Sequence, residues 1–125
     1  MDIILSSNSD TPLYEQIVEQ LKTQILIGEL LPGTPLPSMR TLAKELHVSI
    51  ITTKRAYEEL EAVGLIDTLV GKGTFVSAKP LGQVREAAIL HLEEKLSAII
   101  NQAKILGLTK AELMILLETL YEEET

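Results

Sequence analysis

Residues 38–64, SMRTLAKELHVSIITTKRAYEELEAVG, decide how this chain folds. The stretch opens on Ser38, a residue type whose side-chain oxygen satisfies the free N–H groups at a helix start. Leu42, Ala43 and Leu46 then fall on one helical face, which predicts a short helix over 38–46. His47-Val48-Ser49 makes a tight break, with His47 read as a C-terminal cap, and Ser49 caps a second helix running to about Val63. Thr53, Ala56, Tyr57, Leu60 and Val63 lie on its inner face, and Gly64 closes it. Two short helices joined this way form a helix-turn-helix.

Upstream, Thr11 is read as the cap of an earlier helix over 12–27, with Pro12 at its first position and apolar residues at Leu13, Ile17, Leu21 and Ile25. Gly28 ends it. Residues 2–5, DIIL, either form a brief edge strand or pack on that helix. Residues 30–37, LLPGTPLP, carry three prolines and a glycine and read as a turn-rich connector. Downstream the period changes. Residues 65–70, LIDTLV, and 74–76, TFV, are β-formers separated by Gly71-Lys72-Gly73, which predicts a hairpin, or wing. Pro80 and Gly82 mark a linker to a long helix over 83–106, ended by Gly107. Thr109 with Glu112 is a capping box for a last helix to about Glu122, and the terminal EEET reads as a frayed, solvated end.

The predicted fold is mainly α with a small β-hairpin wing: a winged helix-turn-helix head over 1–79 and a two-helix dimerisation tail over 80–125. Hydrophobic residues make up 46% of the chain, so a packed core is expected. Aromatics are only 3%, so that core must be aliphatic. There is no cysteine, which excludes disulfides and thiolate metal sites. No signal peptide and no membrane-length apolar run is visible, so a soluble cytoplasmic protein is expected. The net charge of −7 argues at first against nucleic acid, but it is unevenly spread. Residues 38–80 hold Arg40, Lys44, Lys54, Arg55, Lys72 and Lys79 against Glu45, Glu58, Glu59, Glu61 and Asp67, and only this segment is not net acidic.

The second helix of such a pair can enter a DNA major groove, and its N-terminus offers unpaired N–H groups and a positive dipole end to phosphate. Ser49, Ile50, Ile51, Thr52, Lys54 and Arg55 are what that end can show. Each has a plainer reading: Lys54 and Arg55 as solvated helix charges, Ile50 and Ile51 as partly core.

The connector-to-turn stretch LLPGTPLPSMRTLAKELHVS, followed by TTKRAYEELEAVGLI and GKGTFV, resembles the signature of the GntR family of bacterial regulators. The two-helix tail with GLTKAELMILLETL resembles its YtrA-like subfamily. The resemblance implies that Arg40 reaches DNA, that Ser49, Thr52 and Lys54 occupy contact positions, and that Gly71, Lys72 and Gly73 form a wing tip near the minor groove. Arg40 in a helix-tying salt bridge and Lys72 as a solubilising tip charge are the plainer readings. The chain departs from the family pattern at Ile50-Ile51 and at Thr68-Leu69-Val70, where relatives carry polar or basic residues. Apolar contact with thymine methyls and weaker phosphate attraction are therefore expected.

In the tail, Leu92, Leu96, Ile99 and Leu106 on the long helix and Leu113, Leu116, Leu117 and Leu120 on the last one exceed what two helices can bury alone. A second copy would cover them, giving a two-fold homodimer. His91 reads as a surface or interface residue. No carboxylate, histidine or glycine pattern forms a catalytic, metal or phosphate-loop site, so no enzyme, cofactor or metal is expected. The expected function is a homodimeric repressor on an inverted-repeat operator of double-stranded DNA, possessing at most a small-molecule effector of unknown identity. The resemblance places it over a transporter operon. The alternative is a winged-helix module that binds protein and not DNA.

Overall fold

A computed structural model describes residues 1–123 of the chain. The chain divides into two compact units, Met1–Ile89 and Leu90–Thr125. The first contains helix α1 (Leu13–Leu26), strand β1 (Pro35–Leu36), helix α2 (Met39–Leu46), helix α3 (Ile50–Ala62) and strands β2 (Ile66–Leu69) and β3 (Gly73–Val76). Helix α4 (Leu81–Ile105) begins in this unit and continues into the second, which also holds α5 (Lys110–Glu123). The fold is mainly helical with one small antiparallel sheet, as the sequence pattern predicts.

In the first unit α1, α2 and α3 close on an aliphatic core. Ile17, Leu21 and Ile25 of α1 meet Leu42 of α2 and Ala56, Tyr57 and Leu60 of α3, with Leu65, Ile66 and Val76 from the strands. The predicted inner face of α3 is buried throughout, from Thr53 to Val63. Its two polar members have specific partners. Thr53 Oγ1 donates to the Met39 carbonyl at 2.8 Å, and Tyr57 Oη donates to the Pro37 carbonyl at 2.7 Å. Burial, reinforced by the Glu45 charge, pushes the Tyr57 phenol's pKa up, so the hydroxyl stays protonated and donating. Both bonds anchor α3 to the start of α2, where an unpaired buried hydroxyl would be costly.

Three details correct the sequence reading. Thr11 is not the cap of α1. The helix starts one residue later than that reading needs, Pro12 takes the cap position without a side-chain bond, and the Thr11 carbonyl accepts from Gln16 Nε2. The connector 30–37 is not all turn: Pro35 and Leu36 pair with Phe75 and Thr74 as strand β1. The sheet order β1-β3-β2 puts β1 at an edge, the one place a strand tolerates a proline. Finally, Pro80 and Gly82 are no linker. The Pro80 carbonyl accepts from the Gln83 and Val84 amides, and buried Val84 fixes the first turn of α4 to the core.

The segment 2–6 packs on α1 rather than forming a strand. Gln16, Gln20 and Gln24 stand four residues apart, and their side chains pair with the backbone of Ser6, Ile4 and Asp2. The match is metric: four helical residues rise about 6 Å and two extended residues about 6.6 Å. The glutamine row thus serves as a stand-in strand for the N-terminal backbone.

In the second unit, Gly107 (φ 79°) ends α4, and Ala103 is buried. The capping box opens α5 as read: the Thr109 amide donates to Glu112 Oε1 at 3.0 Å and the Glu112 amide donates to Thr109 Oγ1 at 3.1 Å. The reading of the end as a frayed run falls partly on residues 124 and 125, outside the described residues. The hydrogen bond donated by the Thr109 backbone amide, and after it the Thr109 hydroxyl beside the carboxylate, hold the Glu112 carboxyl below its ordinary value of 4.5. A lowered folded value adds stability above pH 4.5 that is lost as acid protonates the carboxylate. Glu112→Ala is therefore expected to lower helix content at neutral pH, with the gap from the parent closing below that value. A gap independent of pH in circular dichroism would remove the capping role.

Candidate nucleic-acid interface

The two helices of the helix-turn-helix start alike. Ser38 Oγ accepts from the Thr41 amide at 3.1 Å, and Ser49 Oγ accepts from the Thr52 amide at 3.2 Å. In each cap the serine and threonine hydroxyls are themselves paired at 2.9 Å. Between them His47 adopts the left-handed conformation (φ 56°), and the Val48 amide reaches back to the Ala43 carbonyl. The turn is thereby locked without a glycine, at the strain a non-glycine residue carries there.

This geometry sets what α3 presents. Ser49 and Thr52 spend part of their hydroxyl capacity on the cap, leaving one O–H of the pair uncommitted. The Ile50 and Ile51 amides lie in the first turn, where no intrahelical acceptor exists. Ile50 is half exposed and Ile51 is 78% exposed, so neither is core. Lys54 projects into solvent. Arg55 is exposed too, but its guanidinium lies 3.8 Å above the centre of the Tyr14 ring of α1. Arg40, in the first turn of α2, is exposed and makes no salt bridge to any described residue.

The wing tip is a tight turn in which the Lys72 amide donates to the Leu69 carbonyl at 2.9 Å. Gly71 (φ 77°) and Gly73 (φ 114°) occupy backbone regions that side chains resist, which is why the turn needs them. Lys72 is exposed, and Val70 beside it is fully exposed at 100%. Glu61 of α3 accepts from the Thr68 hydroxyl of β2 at 3.0 Å, tying wing to helix. The structure thus places all ten predicted head residues at exposed ends of α2, α3 and the wing, with Thr52 half-buried. Sequence reading missed Tyr14 as a partner of Arg55; only an aromatic near the start of α1 was visible.

In the second unit, Leu92, Leu96, Ile99, Leu106, Leu116, Leu117 and Leu120 are exposed and Leu113 is half-buried. Ile100, Ala103, Leu108, Leu113 and Met114 line an apolar groove of about 390 Å³ between α4 and α5.

The family model for gntR family bacterial regulatory proteins matches residues 13–76, which span α1 through β3. The chain belongs to the gntR family. This gntR-family chain is 38% identical over 105 residues to the HTH-type transcriptional repressor YtrA of Bacillus subtilis (strain 168), covering 84% of the chain and 81% of that protein. The solved structure of YtrA from Sulfolobus acidocaldarius, a GntR-family transcription factor, is 32% identical over 97% of each chain, with a TM-score of 0.58. The crystal structure of AraR(DBD) in complex with operator ORX1 matches 62% of the chain at 28% identity and a TM-score of 0.54. The chain is accordingly a YtrA-like transcription regulator of the gntR family, and its relatives are regulators, not enzymes. Among the described residues no helix is long and apolar enough to cross a membrane.

Proposed function

We propose that this regulator is a cytoplasmic repressor that binds an inverted-repeat DNA operator as a homodimer, over a transporter operon. The observation that carries this reading is the doubly capped helix pair, which leaves the Ile50 end of α3 rigid, solvent-facing and unobstructed. Such an end fits a major groove about 12 Å wide. On docking, Ile50 and Ile51 would meet base edges, including thymine methyls. Lys54 and Arg55 would meet phosphates, with Arg40 and the Gly71-Lys72-Gly73 tip gripping the flanks. Two copies joined through the leucines of the second unit would address half-sites about 34 Å apart. The relative solved on operator DNA supports the same use of this fold.

The test is selection of binding sites from random duplexes, followed by a salt titration on the selected site. Affinity should fall steeply as salt rises, because each phosphate contact releases counterions. Arg40→Ala and Lys72→Ala should each weaken binding several-fold and flatten the log–log salt slope by about 0.9. Both side chains are exposed, so thermal stability should stay within about 0.5 kcal/mol. Unchanged affinity in both variants removes these site assignments.

A second reading rests on the exposed Ile51 and Val70 and the net charge of −7: a module that docks another protein by its apolar helix end and wing tip. Failure to bind any duplex at low ionic strength selects it over the first.

A further inference from the structure

Arg55 differs from the other cations of the head. Its guanidinium is stacked on the Tyr14 ring, 3.8 Å from the centroid. The carboxylates of Glu15 and Glu59 are close enough to act on that same Tyr14, yet Arg55 pairs with neither. Arg55 makes none of the ion pairs or side-chain hydrogen bonds seen among the described residues, such as that of Lys22 with Glu19. Tyr14 spends its own hydroxyl on Glu15 at 3.1 Å, which leaves its ring face to Arg55.

A guanidinium is flat, and its five N–H donors lie in the plane. Stacking on an aromatic face therefore holds the group while using none of its donors. The result is a cation fixed in place with its hydrogen-bonding edge unspent. Arg40, Lys54 and Lys72 have no ring beneath them among the described residues. A long cationic side chain that is free must be ordered when it binds, and one already held avoids much of that cost.

We propose that Tyr14 is a positioning residue for DNA binding, whose ring presents the N–H edge of Arg55 to a backbone phosphate as α3 docks. This rests on the DNA-binding reading above. Tyr14 lies on α1, outside the helix-turn-helix, so α1 takes part in binding through the side chain it holds. Arg55 then acts as a phosphate clamp of set direction, beside a freely moving Lys54.

The experiment is a double-mutant cycle, read as Kd by fluorescence anisotropy on a duplex carrying the selected site. Tyr14→Leu should weaken binding about three- to tenfold and flatten the salt slope as Arg55→Ala does. Tyr14→Phe keeps the ring and should bind as the parent does. In the Arg55→Ala background, Tyr14→Leu should cost nothing further. Arg55→Lys keeps the charge but not the flat face, and should lose affinity alongside Tyr14→Leu. If Tyr14→Leu lowers the melting temperature, Arg55→Lys carries the test, because Arg55 is exposed and not part of the core. An equal Tyr14→Leu loss with and without Arg55, or Arg55→Lys binding like the parent, overturns the proposal. Parent binding that is unaffected by Arg55→Ala overturns it while leaving the DNA-binding reading intact. A parent protein that binds no duplex overturns both.

Discussion

Replacing Leu96 with glutamate is expected to turn the proposed dimer into monomers and to strip the proposed operator complex of most of its affinity. Leu96 is 45% exposed on α4, in a run with Leu92 and Ile99 that also faces solvent in the single chain. Covering a leucine is worth about 1.5–3 kcal/mol, and two-fold symmetry counts each position twice. A glutamate there would instead place two unpaired like charges in the seam, a cost of several kcal/mol. The loss on DNA follows from linkage: two joined heads gain roughly 10²–10⁴ in avidity over one. Light scattering reports the mass, and anisotropy on the selected duplex reports the affinity. A variant that stays dimeric at micromolar concentration rules out the leucine face of α4 as the seam. A monomer that still binds the full palindrome as tightly shows that the heads act independently.

The second large effect is on stability, and it separates the two faces of one helix. Leu60 is fully buried in α3, against the α1 and strand core. Leu60→Ala should cost about 2–5 kcal/mol, the transfer loss plus the cavity left behind. A domain of this size holds only about 5–15 kcal/mol in total, and each kcal/mol moves the melting temperature by about 4–8 °C. A fall of about 10–40 °C in thermal unfolding is therefore expected. Ile51→Ala, about two and a half turns nearer the capped end and exposed, should leave that temperature nearly unchanged while altering DNA affinity. Equal destabilisation by the two substitutions would mean that Ile51 packs inward after all, and with it the assignment of the reading face would fall.

Much of the head was legible because its signals are local. Ser38 and Ser49 cap helices by bonding amides three residues on, and the inner face of α3 repeats every third or fourth residue. The capping box of Thr109 and Glu112 and the glycines of the wing are equally short-range. What escaped depends on distant partners. Strand β1 is two residues with a proline in it, and only β3, some forty residues later, makes it a strand. Gln24 reaches Asp2, and Tyr57 reaches Pro37, across 22 and 20 positions.

By itself the sequence determined the order of the helices and of the hairpin, the two capped helices, the wing and the family, since each is written in residue types within a few positions of one another. Only the tertiary structure decided which side chains remain free to act. It buried Thr53 and Tyr57 with named acceptors, turned Ile51 outward, and laid Arg55 across Tyr14 from another helix. The physical reason is that capping and periodicity are satisfied within one or two helical turns, whereas burial and stacking are set by whichever surfaces the folded backbone brings together.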